Sequence, residues 1–125
     1  LGTGFLVARE CTVPKSYKDK VLKSRDIDTQ VTGRATGHPV RVLRNKLTRK
    51  FQLLEKEGAS LEQYEELGKG ALAKAVVDGD VENGSVMAGQ IAGLVNKEQS
   101  CSEIIEEIFK ECEFRVQKIN NMFKK

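Results

Sequence analysis

The stretch LGTGFLVARE, Leu1 to Glu10, constrains the fold most, because it reads as a buried strand end and the chain offers it no sheet. Leu1, Phe5, Leu6, Val7 and Ala8 alternate and then run apolar. A strand needs neighbours for its backbone donors and acceptors. The other β-forming texture is IDTQVTGRATGHPVRVL, Ile27 to Leu43, where Thr29, Val31, Thr36, Val40 and Val42 are punctuated by Gly33, Gly37 and Pro39. That pattern predicts an irregular strand or hairpin. The order is therefore strand, helix, short β, then four helices, and the sheet that would receive the first strand is expected upstream.

The helices carry their own boundary signals. Pro14 suits a first turn with Thr12 as a cap, for a short helix to about Ser24. Asn45 caps KLTRKFQLLEKE, in which Leu47, Phe51 and Leu54 recur at helical spacing and Gly58 is a natural stop. Ser60 with Gln63 makes a capping box for a helix over 61–77. DGDVENG is a loop, and a small-residue helix is predicted from Val86 to Val95. Ser100 and Glu103 form a second box. The last helix gathers Ile104, Ile105, Ile108, Phe109, Cys112, Val116, Ile119 and Phe123 on one broad face before fraying into Lys124 and Lys125.

Charge is unevenly spread. Residues 1–50 hold 12 Lys/Arg against 4 Asp/Glu, and residues 51–125 hold 9 against 14. The basic half could meet nucleic acid, a phosphate-bearing cofactor or an acidic protein, or be a solvated face balanced by the acidic half. Aromatic residues are only 6% and no recognition-helix signature is present, which argues against nucleic acid. The longest nearly uncharged run, Val81 to Asn96, is too polar to span a membrane. Cys11, Cys101 and Cys112 lack CxxC and metal-ligand spacing. Cys101 and Cys112 would lie about 16 Å apart on a shared helix, beyond disulfide reach. Reduced thiols and a cytoplasmic location are expected.

No Ser–His–Asp set, metal cluster, GxGxxG or P-loop is present. Gly2 and Thr3, at the end of the first strand, could offer N–H groups and a hydroxyl to a phosphate, or form a simple turn. In SVMAGQIAGLV, the bare face of Ala88, Gly89, Ala92 and Gly93 suits close packing. The secondary reading is a helix start approaching a planar or anionic ligand, with Gln90 as a hydrogen-bonding amide. His38, the only histidine, has no carboxylate or second histidine nearby in sequence. Tyr17 and Tyr64 read as packing residues.

In order, GTGFLVARE, YKDKVLKSRDIDT, GHPVRVLRNKLT and GKGALAKAVVDGDVENGSVMAGQIAGLV resemble the C-terminal part of the enoyl-acyl-carrier-protein reductase II family. These flavoproteins are relatives of 2-nitropropane dioxygenase, also called nitronate monooxygenase. The resemblance covers nearly the whole chain and is weakest in the final helix. It implies a helix-rich α/β fold: the C-terminal part of a TIM (β/α)8 barrel, with the end of strand 8 and the last helices, and an inserted small α+β domain. On that pattern residues 1–11 end strand 8, 12–84 form the inserted domain and 85–125 return to the barrel, so the chain is expected to be a fragment.

The resemblance also implies FMN, NAD(P)H and an enoyl thioester on acyl carrier protein whose double bond is reduced. Gly2 and Thr3 match the family's phosphate-holding Gly-Thr, and Met87, Gly89 and Gln90 match its MAGQ segment near the flavin. The family's catalytic histidine sits in a barrel loop with no counterpart here. No catalytic or metal residue is therefore assigned, and the isolated chain is expected to be inactive. Arg41, Arg44, Lys46 and Arg49 are expected to line the entrance for the carrier protein or nicotinamide cofactor. Exposed apolar faces predict a homo-oligomer without nucleic-acid or membrane partners. The alternatives are a nitronate monooxygenase and, in another class, a non-enzymatic helical interaction module with a basic face.

Overall fold

The computed structural model describes residues 1–124; Lys125, expected to fray, lies outside them. Six helices accompany a two-stranded antiparallel sheet. They are α1 (Gly2–Leu6), α2 (Lys15–Leu22), α3 (Lys46–Glu57), α4 (Leu61–Gly68), α5 (Ala71–Val76) and α6 (Cys101–Met122). The strands are β1 (Thr29–Thr32) and β2 (Val40–Leu43), and a 3-10 helix spans Gln90–Leu94.

Several sequence expectations hold. The hairpin pairs Thr29 with Leu43 and Thr32 with Val40. Asn45 caps α3 through its side chain, and Gly58 ends that helix in the left-handed region at φ 65°. Ser60 with Gln63 and Ser100 with Glu103 form the two capping boxes.

Four differ, each for a local reason. Leu1–Leu6 is not a strand end: the Leu1 carbonyl accepts from Phe5 N–H, closing a helical turn that satisfies the backbone where no ladder partner exists. The second helix takes Pro14, not Thr12, at its cap, with no side-chain bond, because proline's fixed φ prepares the first turn. The predicted 61–77 helix is two helices, broken where Gly70 turns to φ 68°. Val86–Val95 is not one helix: Ser85–Ala88 runs extended and only Gln90–Leu94 is helical, in 3-10 form.

That extended segment is a third strand in effect. Leu43 N–H donates to the Val86 carbonyl, Ala88 N–H to the Arg41 carbonyl, and Met87 lies opposite Val42. Val86 and Ala88 point inward and Met87 outward, the period of a strand. The core forms where this segment meets α2. Val7, Tyr17, Val21, Leu43, Ala75, Val86, Ala88 and Ala92 make one buried cluster. Glycine permits the closest approaches: a Cβ on Gly84 would fall 2.6 Å from the Ala75 nitrogen, and one on Gly93 would strike the Asp26 backbone.

Candidate functional site

The two segments singled out by sequence meet in space. Gly89 N–H donates to Thr3 Oγ1 at 2.8 Å, across 86 residues of chain. Thr3 is only 7% exposed. The Met87 carbonyl is fixed from the other side by the Tyr17 hydroxyl, at 2.6 Å. Burial pushes the Tyr17 phenol up to about 12, so it stays protonated and serves as a donor to Met87 rather than as an acid or base. Sequence reasoning missed both the Tyr17 brace and the strand character of Ser85–Ala88. The alternation of Val86, Met87 and Ala88 was the signal available.

Gly2, Thr3 and Gly89 therefore share one locus. A Cβ on Gly2 or Gly4 would meet nothing within 4 Å, so this backbone faces open space and can be approached closely. A Cβ on Gly89 would sit 3.2 Å from Thr3 Oγ1, so glycine suits the position that brings the two segments together. The first-turn N–H groups of α1 have no helical acceptor. Thr3 Oγ1 accepts from Gly89, which leaves its own proton to give away. Bare N–H groups beside a hydroxyl that can donate fit an anionic group such as a phosphate. Gln90 begins the 3-10 helix one residue on and is exposed, free to offer an amide.

Met87 faces a different space. Its side chain is 36% exposed and lines a groove of about 360 Å³ with Thr32, His38, Val40, Phe51 and Tyr64. His38 sits exposed in the hairpin turn, and no acidic partner is paired with it among the described residues. It is not brought to the Thr3–Gly89 locus. No group of three His, Cys, Asp or Glu side chains suited to a metal is present among the described residues. The arrangement can bind and orient; the five predicted site residues include no titratable side chain and supply no acid–base chemistry of their own.

Tyr17 and Tyr64 are buried packing residues, as their sequence settings predict. The other thiols and carboxylates lie elsewhere. Cys101 is pushed up by its neighbour Glu10, whose carboxylate in turn is lowered by the Cys101 N–H it accepts at 2.9 Å. No helix among the described residues is long and apolar enough to cross a membrane.

The family model for nitronate monooxygenase matches residues 1–111. Among solved structures, FabK from Thermotoga maritima superposes with a TM-score of 0.89 at 43% identity, over 95% of this chain and 38% of that one. An octahydroindene-carboxyl-CoA dehydrogenase of Mycobacterium tuberculosis is 29% identical over 86% of this chain and 41% of its own length. A probable nitronate monooxygenase of Staphylococcus saprophyticus is 27% identical over 89% of this chain and 31% of its own. The chain thus spans about two-fifths or less of the proteins it matches.

Proposed function

From a chain that belongs to the nitronate monooxygenase family, we propose the C-terminal part of an FMN-dependent enoyl-acyl-carrier-protein reductase. The observation that carries this reading is the Thr3–Gly89 bond, which joins the two predicted flavin-contacting segments into one anion-ready locus. The 43% identity to FabK, against 27% to the probable nitronate monooxygenase, supports the reductase over the nitronate oxidiser. In this reading α1 takes the turn that follows barrel strand 8, residues 12–84 are the inserted small domain, and residues 85–125 return to the barrel.

FMN, when bound, would supply two-electron reduction of an enoyl thioester at the expense of NAD(P)H. The residues here do the holding. Gly2 and Thr3 bind the phosphate through backbone N–H groups and the Thr3 hydroxyl. Gly89 fixes that hydroxyl's orientation. Gln90 would offer its amide to the ring, while Met87 would serve through its backbone, held by Tyr17, since its side chain faces the groove with His38 and Tyr64. None of these side chains moves a proton, so the 125-residue chain alone binds without turning substrate over. The exposed apolar side chains of Leu1, Leu94 and α6 belong to the same reading as surfaces of self-association, giving a homo-oligomer.

Flavin fluorescence on titrating the chain into FMN tests this. Saturable quenching that is lost in Thr3→Val supports the site. An unchanged signal with correctly folded chain overturns binding by this segment alone. A nitronate monooxygenase is the second reading, favoured by the family match itself. Consumption of NADH with an enoyl thioester by the flavin-loaded full-length enzyme carries the first reading; oxygen uptake with a nitronate and no NADH use carries the second.

A further inference from the structure

The structure sorts the basic half of the chain into engaged and free cations. Lys15 pairs with Asp19, Lys20 with Glu82, Arg25 with Asp28 and Arg9 with Glu103. Lys18 donates to the Ala8 carbonyl, and Arg41 to Thr29 Oγ1 at 3.1 Å. Lys23, Arg34, Arg44, Lys46, Arg49 and Lys50 form no ion pair among the described residues and all six are exposed, but only the last four are clustered in sequence. Asp28, whose carbonyl accepts from Arg44 N–H, already gives both carboxylate oxygens to Arg25. Four free cations in seven residues, with no acid between them, run from just after β2 into the second turn of α3.

That placement opposes local stability. The first turn of a helix carries partial positive charge and favours acids, each worth about 0.3–1 kcal/mol. α3 has no acid there and two cations, Lys46 and Arg49, instead. A small phosphate has no seat at this helix start either. Thr48 N–H is taken by Asn45 Oδ1 and Leu47 N–H by the Glu82 carbonyl. What remains is an exposed, multiply charged stretch with no free N–H at Leu47 or Thr48 to seat a phosphate, which fits the broad acidic surface of a protein better than one nucleotide phosphate. The face is tied to the proposed flavin segment: β2 pairs with Ser85–Ala88, and the next residue is Gly89.

Resting on the enoyl reductase reading, we propose that Arg44, Lys46, Arg49 and Lys50 are the docking surface for the acidic carrier protein that presents the thioester. Arg41, expected in this group from sequence, is turned inward to Thr29 and positions β2 instead. The probe is fluorescently labelled acyl carrier protein bearing a crotonyl group, titrated with the 125-residue chain at low and high salt. Binding is expected at low salt, weakened at high salt, and weakened at least ten-fold by Arg49→Glu/Lys50→Glu and by Arg44→Glu/Lys46→Glu.

Arg49→Glu in the first pair places an acid in the first turn of α3, where the helix dipole favours it, and Lys50 is exposed and unpaired among the described residues, so the pair's thermal midpoint should hold or rise while binding falls. Loss of fold therefore cannot mimic the result, and the second pair provides an independent reading. Lys110→Glu on α6 should bind as the parent does. Absence of binding at low salt, or equal affinity in both pairs and the parent, overturns the proposal. So does a loss confined to NADPH or to crotonyl-pantetheine without protein. FMN quenching is followed in the same samples: its failure with an intact carrier isotherm sinks the flavin reading and leaves the docking surface standing, and the reverse pattern does the opposite.

Discussion

Tyr17, Val21, Leu43 and Val86 are each under 2% exposed, whereas α6, rich in isoleucine and phenylalanine, buries none of its 22 residues. Phe109 is 71% exposed and Phe123 82%. The two regions differ in how they gather partners. The core draws on the end of α1, α2, β2, α5, the Ser85–Ala88 segment and the 3-10 helix, so its apolar side chains come from distant parts of the chain. Among the described residues, the bonds that fasten α6 to the rest of the chain lie near its start. Glu10 accepts from Cys101 N–H, Arg9 N–H donates to the Gln99 carbonyl, and Lys97 and Gln99 hold Glu107. An amphipathic pattern promises burial but does not supply the surface that receives it.

The largest effect should come from the core. Tyr17→Ala removes a fully buried ring and the hydroxyl that holds the Met87 carbonyl, and should cost about 3–5 kcal/mol in denaturant unfolding. A loss below about 1 kcal/mol would break the distinction drawn between the two regions. Asn45→Ala comes next. Asn45 caps α3 and its amide also donates to the Val81 and Gly84 carbonyls, both at 2.8 Å. The expected cost is about 2 kcal/mol, from the cap and from carbonyls left unpaired.

Acidification should act on α6 before the core. The Glu10 and Glu107 carboxyls are held below their ordinary value of 4.5, Glu10 chiefly by the Cys101 N–H and Glu107 chiefly by the Gln99 amide. A lowered folded value means that this stabilisation is present above 4.5 and is lost as pH falls through the folded values. Helical circular dichroism should therefore decline over that range ahead of near-ultraviolet tyrosine signals; simultaneous loss would join the two regions into one cooperative unit. The smallest effect belongs to Ile119→Ser. At dilutions where the chain is monomeric its unfolding free energy should stay within about 0.5 kcal/mol of the parent. Light scattering at high concentration should shift toward smaller species if α6 carries the self-association.

Features that depend on a few adjacent residues were legible in sequence. Asn45, Gly58, Ser60 with Gln63 and Ser100 with Glu103 set helix ends through bonds within three or four positions. Features that depend on distant partners were not. Leu1–Leu6 looks like a strand on apolar order alone, yet no ladder is available and its backbone closes on itself. Val86–Val95 reads as a small-residue helix, yet β2 claims its first half through Leu43 and Arg41. The site shares this division. Gly2, Thr3, Gly89 and Gln90 are proposed from the ordered segments of a family pattern, while the Tyr17 brace joins residues 70 apart that no local pattern links.

The Thr3–Gly89 bond also carries a kinetic meaning. Its two ends are joined through nearly the whole core, and closing so long a loop precedes any gain from the contact. Loop-closure entropy alone would place its assembly after the shorter-range contacts of α2, the hairpin and α5. A ligand that recognises it selects finished molecules and ignores partly folded ones. Its apparent affinity would track the folded fraction, and each bound molecule would withdraw a chain from the unfolding equilibrium.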